Sequence, residues 1–351
     1  MKVTDPSTIQ IPNVDKEIGK EVAAYIDTLT KPVGSLGRLE KIAIQLAEIT
    51  GEKFPIVTPP AAIVFAADHG ITDEGVSAYP KEVTAQMVYN FLNDGAAMNV
   101  FCKQIDALFS IVDVGVAETI EHENLISRKV RRGTRSFYQE DAMTEEEVLQ
   151  ALAIGREEAL NTINKGAKAL IVGEMGIGNT SAASALIAVV TGVPIETVIG
   201  PGTGLNEKGM VHKAKILKES IERRKPNHKD PIDIMKKLGG LEITAMTGAM
   251  LEAAKNRIPI IVDGLICTAA ALMAKEINER VADYMLIGHR SLEPGHKSAY
   301  EALDKEPLLD LQMHLGEGTG AAVAFPIIVS ATNMLRHMAT FEGAGISGKS
   351  D

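Results

Sequence analysis

Only two cysteines, Cys102 and Cys267, occur in the 351 residues, and they form neither a CxxC pair nor a zinc spacing. That excludes a disulfide framework or a structural zinc as the organising device. The expectation is two small buried hydrophobes in a reducing cytosol. Positive charge is also short: 36 Lys plus Arg stand against 46 Asp plus Glu, a net charge of −10. A general nucleic-acid binder needs a basic footprint and is excluded. A small anionic ligand is not, because one Lys or a few backbone N–H groups can hold it. The N-terminal MKVTDPSTIQIPNVDKE lacks an apolar h-region, so no secretory signal is expected. Long apolar spans are missing too. Segment 258–274 contains Asp263, and 318–335 contains Thr319, Gly320, Pro326 and Asn333. Both read as buried elements of a large core rather than membrane spans. A cytoplasmic protein with no membrane partner is the expectation.

What is present suits a large folded chain. Hydrophobic residues make up 45% and charged residues 23%, which excludes whole-chain disorder. The length suggests about two domains, or one large α/β domain with an appendage. Apolar runs of strand length recur at 61–67 (AAIVFAA), 107–114, 167–172, 258–262 and 283–287, with a weaker one at 197–199. They are continuous rather than alternating, as strands buried on both faces of a parallel sheet should be. Helical patterns lie between them, at 142–165, 181–190 and 240–256. In the first, Thr144 and Glu147 fit a capping box and Gly166 a stop. The fold class is α/β, a doubly wound, mostly parallel, Rossmann-like sheet. Segment 14–29 carries a helical stripe of Ile18, Val22, Ile26 and Leu29. Segment 320–341 reads as a long helix or a pair broken near Pro326. The expected partition is a catalytic α/β domain of 30–300 and a small helical domain of 1–29 plus 301–351. The tail after Gly343 is expected to fray.

Ligands of open α/β sheets bind beyond the carboxyl ends of the strands. There the sequence places Asp68, His69, Asp113, Glu174, Asp263, His289 and Arg290. Singly, each acid is best read as an N-cap of the next helix; together they suggest one polar cleft. Three glycine-rich segments join them. GEMGIGNT (173–180) has a phosphate-loop spacing but carries Asn179 where a Walker Lys is required, and it is not GxGxxG. GPGTGLN (200–206), followed by Lys208 and Lys213, suits phosphate or ribose contact. GEGTGAA (316–322) sets Glu317 between glycines ahead of an apolar helix. Its bland reading is a first-turn acid favourable to the helix dipole. Its sharper reading is a desolvated carboxylate with a raised pKa, competent as a base. HExxH and GxSxG are absent. A metal-assisted hydrolase built on Asp68, His69 and His289 remains a minor alternative, and a nucleotide-binding module without turnover another.

Taken together, KPVGSLGRLE (31–40), ADHGITDEGVSAYPKEVTAQM (67–87), GEMGIGNT (173–180), GGLEITAMTGAMLEAA (239–254), PIIVDGLICTAAALMA (259–274) and LGEGTGAA (315–322) resemble the nicotinate-nucleotide–dimethylbenzimidazole phosphoribosyltransferase family. The resemblance spans 22–341. It implies a homodimer that uses neither metal nor cofactor. Its small-molecule substrates would be nicotinate mononucleotide and 5,6-dimethylbenzimidazole or a related base. It assigns the general base to Glu317. It suggests Glu174 and Asp263 as polar cleft residues for ribose or acceptor. Gly176, Gly178, Lys213 and Ser291 would contact the phosphate or nucleotide. Met175, Tyr79, Gln86 and Leu315 would line the benzimidazole slot. Tyr79 stands where some members carry a small polar residue, and Pro201 where some carry Arg.

Overall fold

The computed structural model describes residues 6–202 and 204–347. Seven strands form one sheet: β1 Pro60–Ala67, β2 Leu108–Gly115, β3 Leu125–Ser127, β4 Ala169–Met175, β5 Ile260–Val262, β6 Met285–His289 and β7 Pro307–Leu309. The helices are α1 Lys16–Asp27, α2 Arg38–Thr50, α3 Glu82–Leu92, α4 Ala97–Gln104, α5 Glu145–Asn164, α6 Asn179–Thr191, α7 Ile195–Val198, α8 Glu207–Arg224, α9 Pro231–Leu238, α10 Leu241–Lys255, α11 Leu265–Ile277, α12 Gly295–Ala302, α13 Thr319–His337 and α14 Phe341–Ala344. The strand order is β3-β2-β1-β4-β5-β6-β7, and every pairing is parallel. The order reverses between β1 and β4, which opens the crevice that α/β sheets use for ligands.

The central strands are buried along their whole length, β1 and β4 without exception. That is why their sequences run apolar without alternation. Helix α10 packs with both α5 and α11, and the three lie against β1, β2, β4 and β5, while α13 packs on β4, β5 and β6 together with α2 and α4. Val22, Ile26 and Leu29 near the N-terminus belong to the same hydrophobic cluster as Phe325, Ile328 and Leu335 of α13 and the sheet strands. Leu29 bridges Thr340, and Phe341 N donates to Thr28 O at 2.9 Å, so the terminal segments touch. Segment 301–347 also supplies β7 to the sheet.

Helix ends follow local chemistry. Thr144 Oγ1 accepts from Glu147 N at 3.2 Å, and Glu147 Oε2 accepts from Thr144 N at 2.7 Å, the reciprocal capping box that the sequence suggests. Several expectations need correction. Residues 197–199 are not a strand. Ile195–Val198 is a short helix behind Pro194, whose buried Ile195 and Val198 share one face at helical spacing. Segment 283–287 begins with a 3-10 turn that ends at Tyr284, and the strand starts at Met285. Segment 320–341 is neither unbroken to its end nor split at Pro326: α13 runs straight through Pro326, whose missing donor falls on an exposed face, and stops at His337 before the short α14. The edge strands β3 and β7 were not expected, being three residues long and only partly buried. Thr203 of the GPGTG segment and residues 348–351 of the tail lie outside the described residues. No helix among the described residues is long and apolar enough to cross a membrane.

Candidate active site

The carboxyl ends of β4, β5 and β6, with the loop that follows β1, border a cavity of about 930 Å³. Of the site residues suggested by the sequence, Tyr79, Glu174, Met175, Gly176, Gly178, Lys213, Asp263, Ser291, Leu315 and Glu317 all line it. Gln86 does not. Val83 and Met87, one turn apart on α3, face the cavity, whereas Gln86 is turned about 100° from Met87 and is exposed. Sequence reasoning missed Val83, Ala97, Phe101 and Glu293, which also line the cavity. The first three look like ordinary core positions on a helix. Glu293 carries no motif.

Glu317 sits in an unusual turn. Gly316, Glu317 and Gly318 have φ of +91°, +64° and +91°. A side chain at positive φ costs on the order of 1–3 kcal/mol, so the surroundings must hold it there. Three contacts do so. Glu317 N donates to Glu174 Oε1 at 3.2 Å, Gly318 N to Asp263 Oδ2 at 3.1 Å and Ala321 N to Asp263 Oδ1 at 3.0 Å. The turn also lies flat on β4. A Cβ at Gly173 would come within 2.1 Å of Glu317 O, so this strand position needs glycine. The carboxyl of Glu317 is buried, and its Oε2 has no partner among the described residues. Burial pushes its proton affinity above the usual glutamate range, and the nearby Asp263 charge pushes it further. The Met98 backbone N–H at the start of α4 opposes both.

Glu174 is the second acid. Its Oε2 accepts from Asn179 Nδ2 while Oε1 holds Glu317 N. Full burial nonetheless raises its pKa to about 8, the Glu317 and Asn179 donors pulling against that rise. Asn179, which denies the GEMGIGNT segment a Walker function, thus anchors an acid instead. Beyond it lies a buried cation. Lys213 Nζ donates to Thr180 Oγ1 at 3.1 Å and Gly200 O at 3.4 Å. Burial lowers its pKa to about 8, with the Glu293 charge acting the other way. Glu293 is raised by burial and lowered in turn by Lys213 and the Gly202 N–H. Thr180 holds Lys213, and Ser291 Oγ accepts from Glu293 N at 3.3 Å, so these side chains gather around the cation.

The residues of the hydrolase alternative do not converge. His289 lines the cavity, whereas His69 is fully buried with its Nε2 2.5 Å from Glu242 Oε1. Asp68 Oδ2 accepts from Ala117 N at 2.7 Å. Among the described residues no three His, Cys, Asp or Glu side chains gather as a metal cage. The cavity therefore combines a desolvated carboxylate with a free lone pair, a buried cation beside a glycine turn, and an apolar wall. Such a set can remove one proton and hold one anionic group.

Comparison with known proteins agrees. A family model described as phosphoribosyltransferase matches residues 11–346. A nicotinate-nucleotide–dimethylbenzimidazole phosphoribosyltransferase of Halalkalibacterium halodurans is 46% identical over 338 residues, 96% of this chain and 95% of the relative. One of Chloroflexus aurantiacus is 47% identical over 345 residues, 98% of each. The crystal structure of the enzyme so described from Thermus thermophilus superposes with a TM-score of 0.91 at 44% identity, covering 95% of this chain and all of that one. The chain belongs to this phosphoribosyltransferase family.

Proposed function

From that membership we propose that the protein transfers phosphoribose from nicotinate mononucleotide to 5,6-dimethylbenzimidazole or a related base, giving α-ribazole 5′-phosphate and nicotinate. The observation that carries the mechanism is the buried Glu317 carboxyl on a wall of the cavity, whose Oε2 has no partner among the described residues. The donor already bears a cationic pyridinium nitrogen on its anomeric carbon. Nicotinate therefore departs with the bonding pair and needs no protonation. The acceptor attacks through one ring nitrogen and must lose the proton on the other. One base suffices, and in this reading Glu317 takes that proton. A base of this kind contributes about 10²–10⁴-fold. Attack opposite the departing nicotinate converts a β-linkage into an α-linkage. The remaining acceleration comes from alignment of the two substrates.

Lys213, with Ser291 and the Gly176–Gly178 turn, would hold the donor's phosphate. Glu174 would fix the turn that carries Glu317. Met175, Tyr79 and Leu315, with Val83, Met87 and Phe101, would sandwich the flat acceptor. Gln86 would serve the acceptor only if α3 turned. We further infer a cytoplasmic homodimer. The test is to mix the purified protein with nicotinate mononucleotide and 5,6-dimethylbenzimidazole in the presence of a chelator and follow products by chromatography and mass. Formation of α-ribazole phosphate and nicotinate supports the assignment and removes the metal-hydrolase reading. Donor binding without product directs the search to another acceptor. Neither binding nor product sinks the transferase reading.

A further inference from the structure

Asp263 follows β5 and is buried, with each oxygen committed to protein. Oδ2 accepts from Gly318 N at 3.1 Å, and Oδ1 accepts from Ala321 N at 3.0 Å. The same Oδ1 lies 3.2 Å from His289 Nε2 at the end of β6. A carboxylate has about four lone-pair sites; here two N–H groups, Gly318 N and Ala321 N, donate to them, and the His289 ring crowds a third. Little acceptor capacity is left for a ribose hydroxyl. The His289 ring is buried against Asp263, and its Nδ1 has no partner among the described residues.

We propose that Asp263 is a positioning residue for Glu317, itself fixed by His289, and not a substrate contact. The inference rests on the reading of Glu317 as the base. Two physical effects follow. The first is geometric: Asp263 ties down two N–H groups that follow Glu317 in the positive-φ turn and the helix start, so the Glu317 carboxyl keeps its place over β4. The second is electrostatic. The groups that act on Glu317 are the Asp263 charge after β5 and the Met98 N–H of α4, with Glu174 of β4 holding its backbone N–H and His289 of β6 one step further out against Asp263. The Asp263 charge raises the proton affinity of Glu317, which strengthens it as a base once it is ionised.

The test uses the full-length protein with nicotinate mononucleotide and 5,6-dimethylbenzimidazole. Asp263→Asn keeps shape but removes the charge and one acceptor. Its kcat should fall roughly 10–100-fold, with the KM for nicotinate mononucleotide within about threefold of the parent. The acid limb of its kcat–pH profile should move to lower pH, since Glu317 loses a negative neighbour. Titration of the acceptor itself is common to both enzymes and cancels in the comparison. His289→Ala should lower kcat by about tenfold, and His289→Gln, which places an N–H near the Nε2 position, should restore most of it. A normal kcat with a KM raised tenfold or more would make Asp263 a substrate contact and overturn the proposal. An unmoved acid limb would overturn it as well. If Asp263→Asn does not fold, the His289 pair decides, and equal kcat for parent, Ala and Gln forms overturns it. Glu317→Gln in the same assay separates the two readings. Full activity there defeats the base assignment itself, whereas an inactive Glu317→Gln beside a fully active Asp263→Asn defeats only the positioning role.

Discussion

The two ends of the cavity are built from opposite materials. One end is walled by Val83, Met87 and Phe101 from α3 and α4, with Met175 and Leu315. The other holds Lys213, Thr180, Ser291 and Glu293, on or next to α6, α8 and α12. The apolar end can recognise a flat ring by burial, at about 25 cal/mol per Å². That recognition is forgiving, because a methyl group is worth only about 1–3 kcal/mol. The polar end recognises by charge and directed hydrogen bonds, which do not tolerate an unpartnered group. Glu317 stands near the apolar end, beside Met98, and burial there is what raises its proton affinity. On the proposed roles, the base at Glu317 and the phosphate site at Lys213 are carried by different secondary elements.

The largest effect expected from disturbing this division is at the base. Glu317→Gln should lower turnover by about 10²–10⁴-fold while nicotinate mononucleotide binds as before, measured by calorimetry beside the rate. Next is the strand glycine. Gly173→Ala places a Cβ where Glu317 O now lies. It should displace the turn and cost about 10²-fold in kcat, with donor affinity changed far less; a normal kcat would show that the turn is not held against β4. At the polar end, Lys213→Ala should weaken nicotinate mononucleotide about 10–100-fold, the scale of a charge-assisted contact worth about 1.5–3 kcal/mol. Binding of free 5,6-dimethylbenzimidazole should stay the same. Equal weakening of both ligands would erase the distinction between the two ends. The smallest effect belongs to the rim. Tyr79 is 53% exposed, so Tyr79→Ser should alter the preference between 5,6-dimethylbenzimidazole and unsubstituted benzimidazole by only a few-fold, read from competition of the two acceptors.

Much of this was legible in the chain because each central strand is an unbroken apolar run that ends in a carboxylate or a histidine. Ala61–Ala67 leading to Asp68, and Leu170–Val172 leading to Gly173-Glu174, announce a parallel sheet and its ligand edge together. The edge strands β3 and β7 were invisible for the converse reason: three half-buried residues leave no periodic signal. The apolar wall was hidden because a helix residue facing a cavity and one facing the core have the same composition. Val83, Met87 and Phe101 differ from neighbouring core residues only in what lies opposite them. The turn at Glu317 was half legible. Two flanking glycines suggest a special backbone, but its closure over Gly173 joins positions far apart in sequence, which no local pattern records. Asp68 and His69 show the reverse error. Their position after β1 suggests chemistry, yet His69 packs inward against Glu242.

The central claim is that a desolvated Glu317 takes the acceptor's proton. The most direct measurement is kcat against pH at saturating substrates for the parent enzyme and for Glu317→Gln. Glu317 acts when ionised, and burial lifts its pKa, so the parent's kcat should rise with pH through an apparent pKa above the ordinary glutamate value of about 4.3. The residual rate of Glu317→Gln should lack that rise. An identical acid limb in both enzymes would place the base elsewhere and contradict the account.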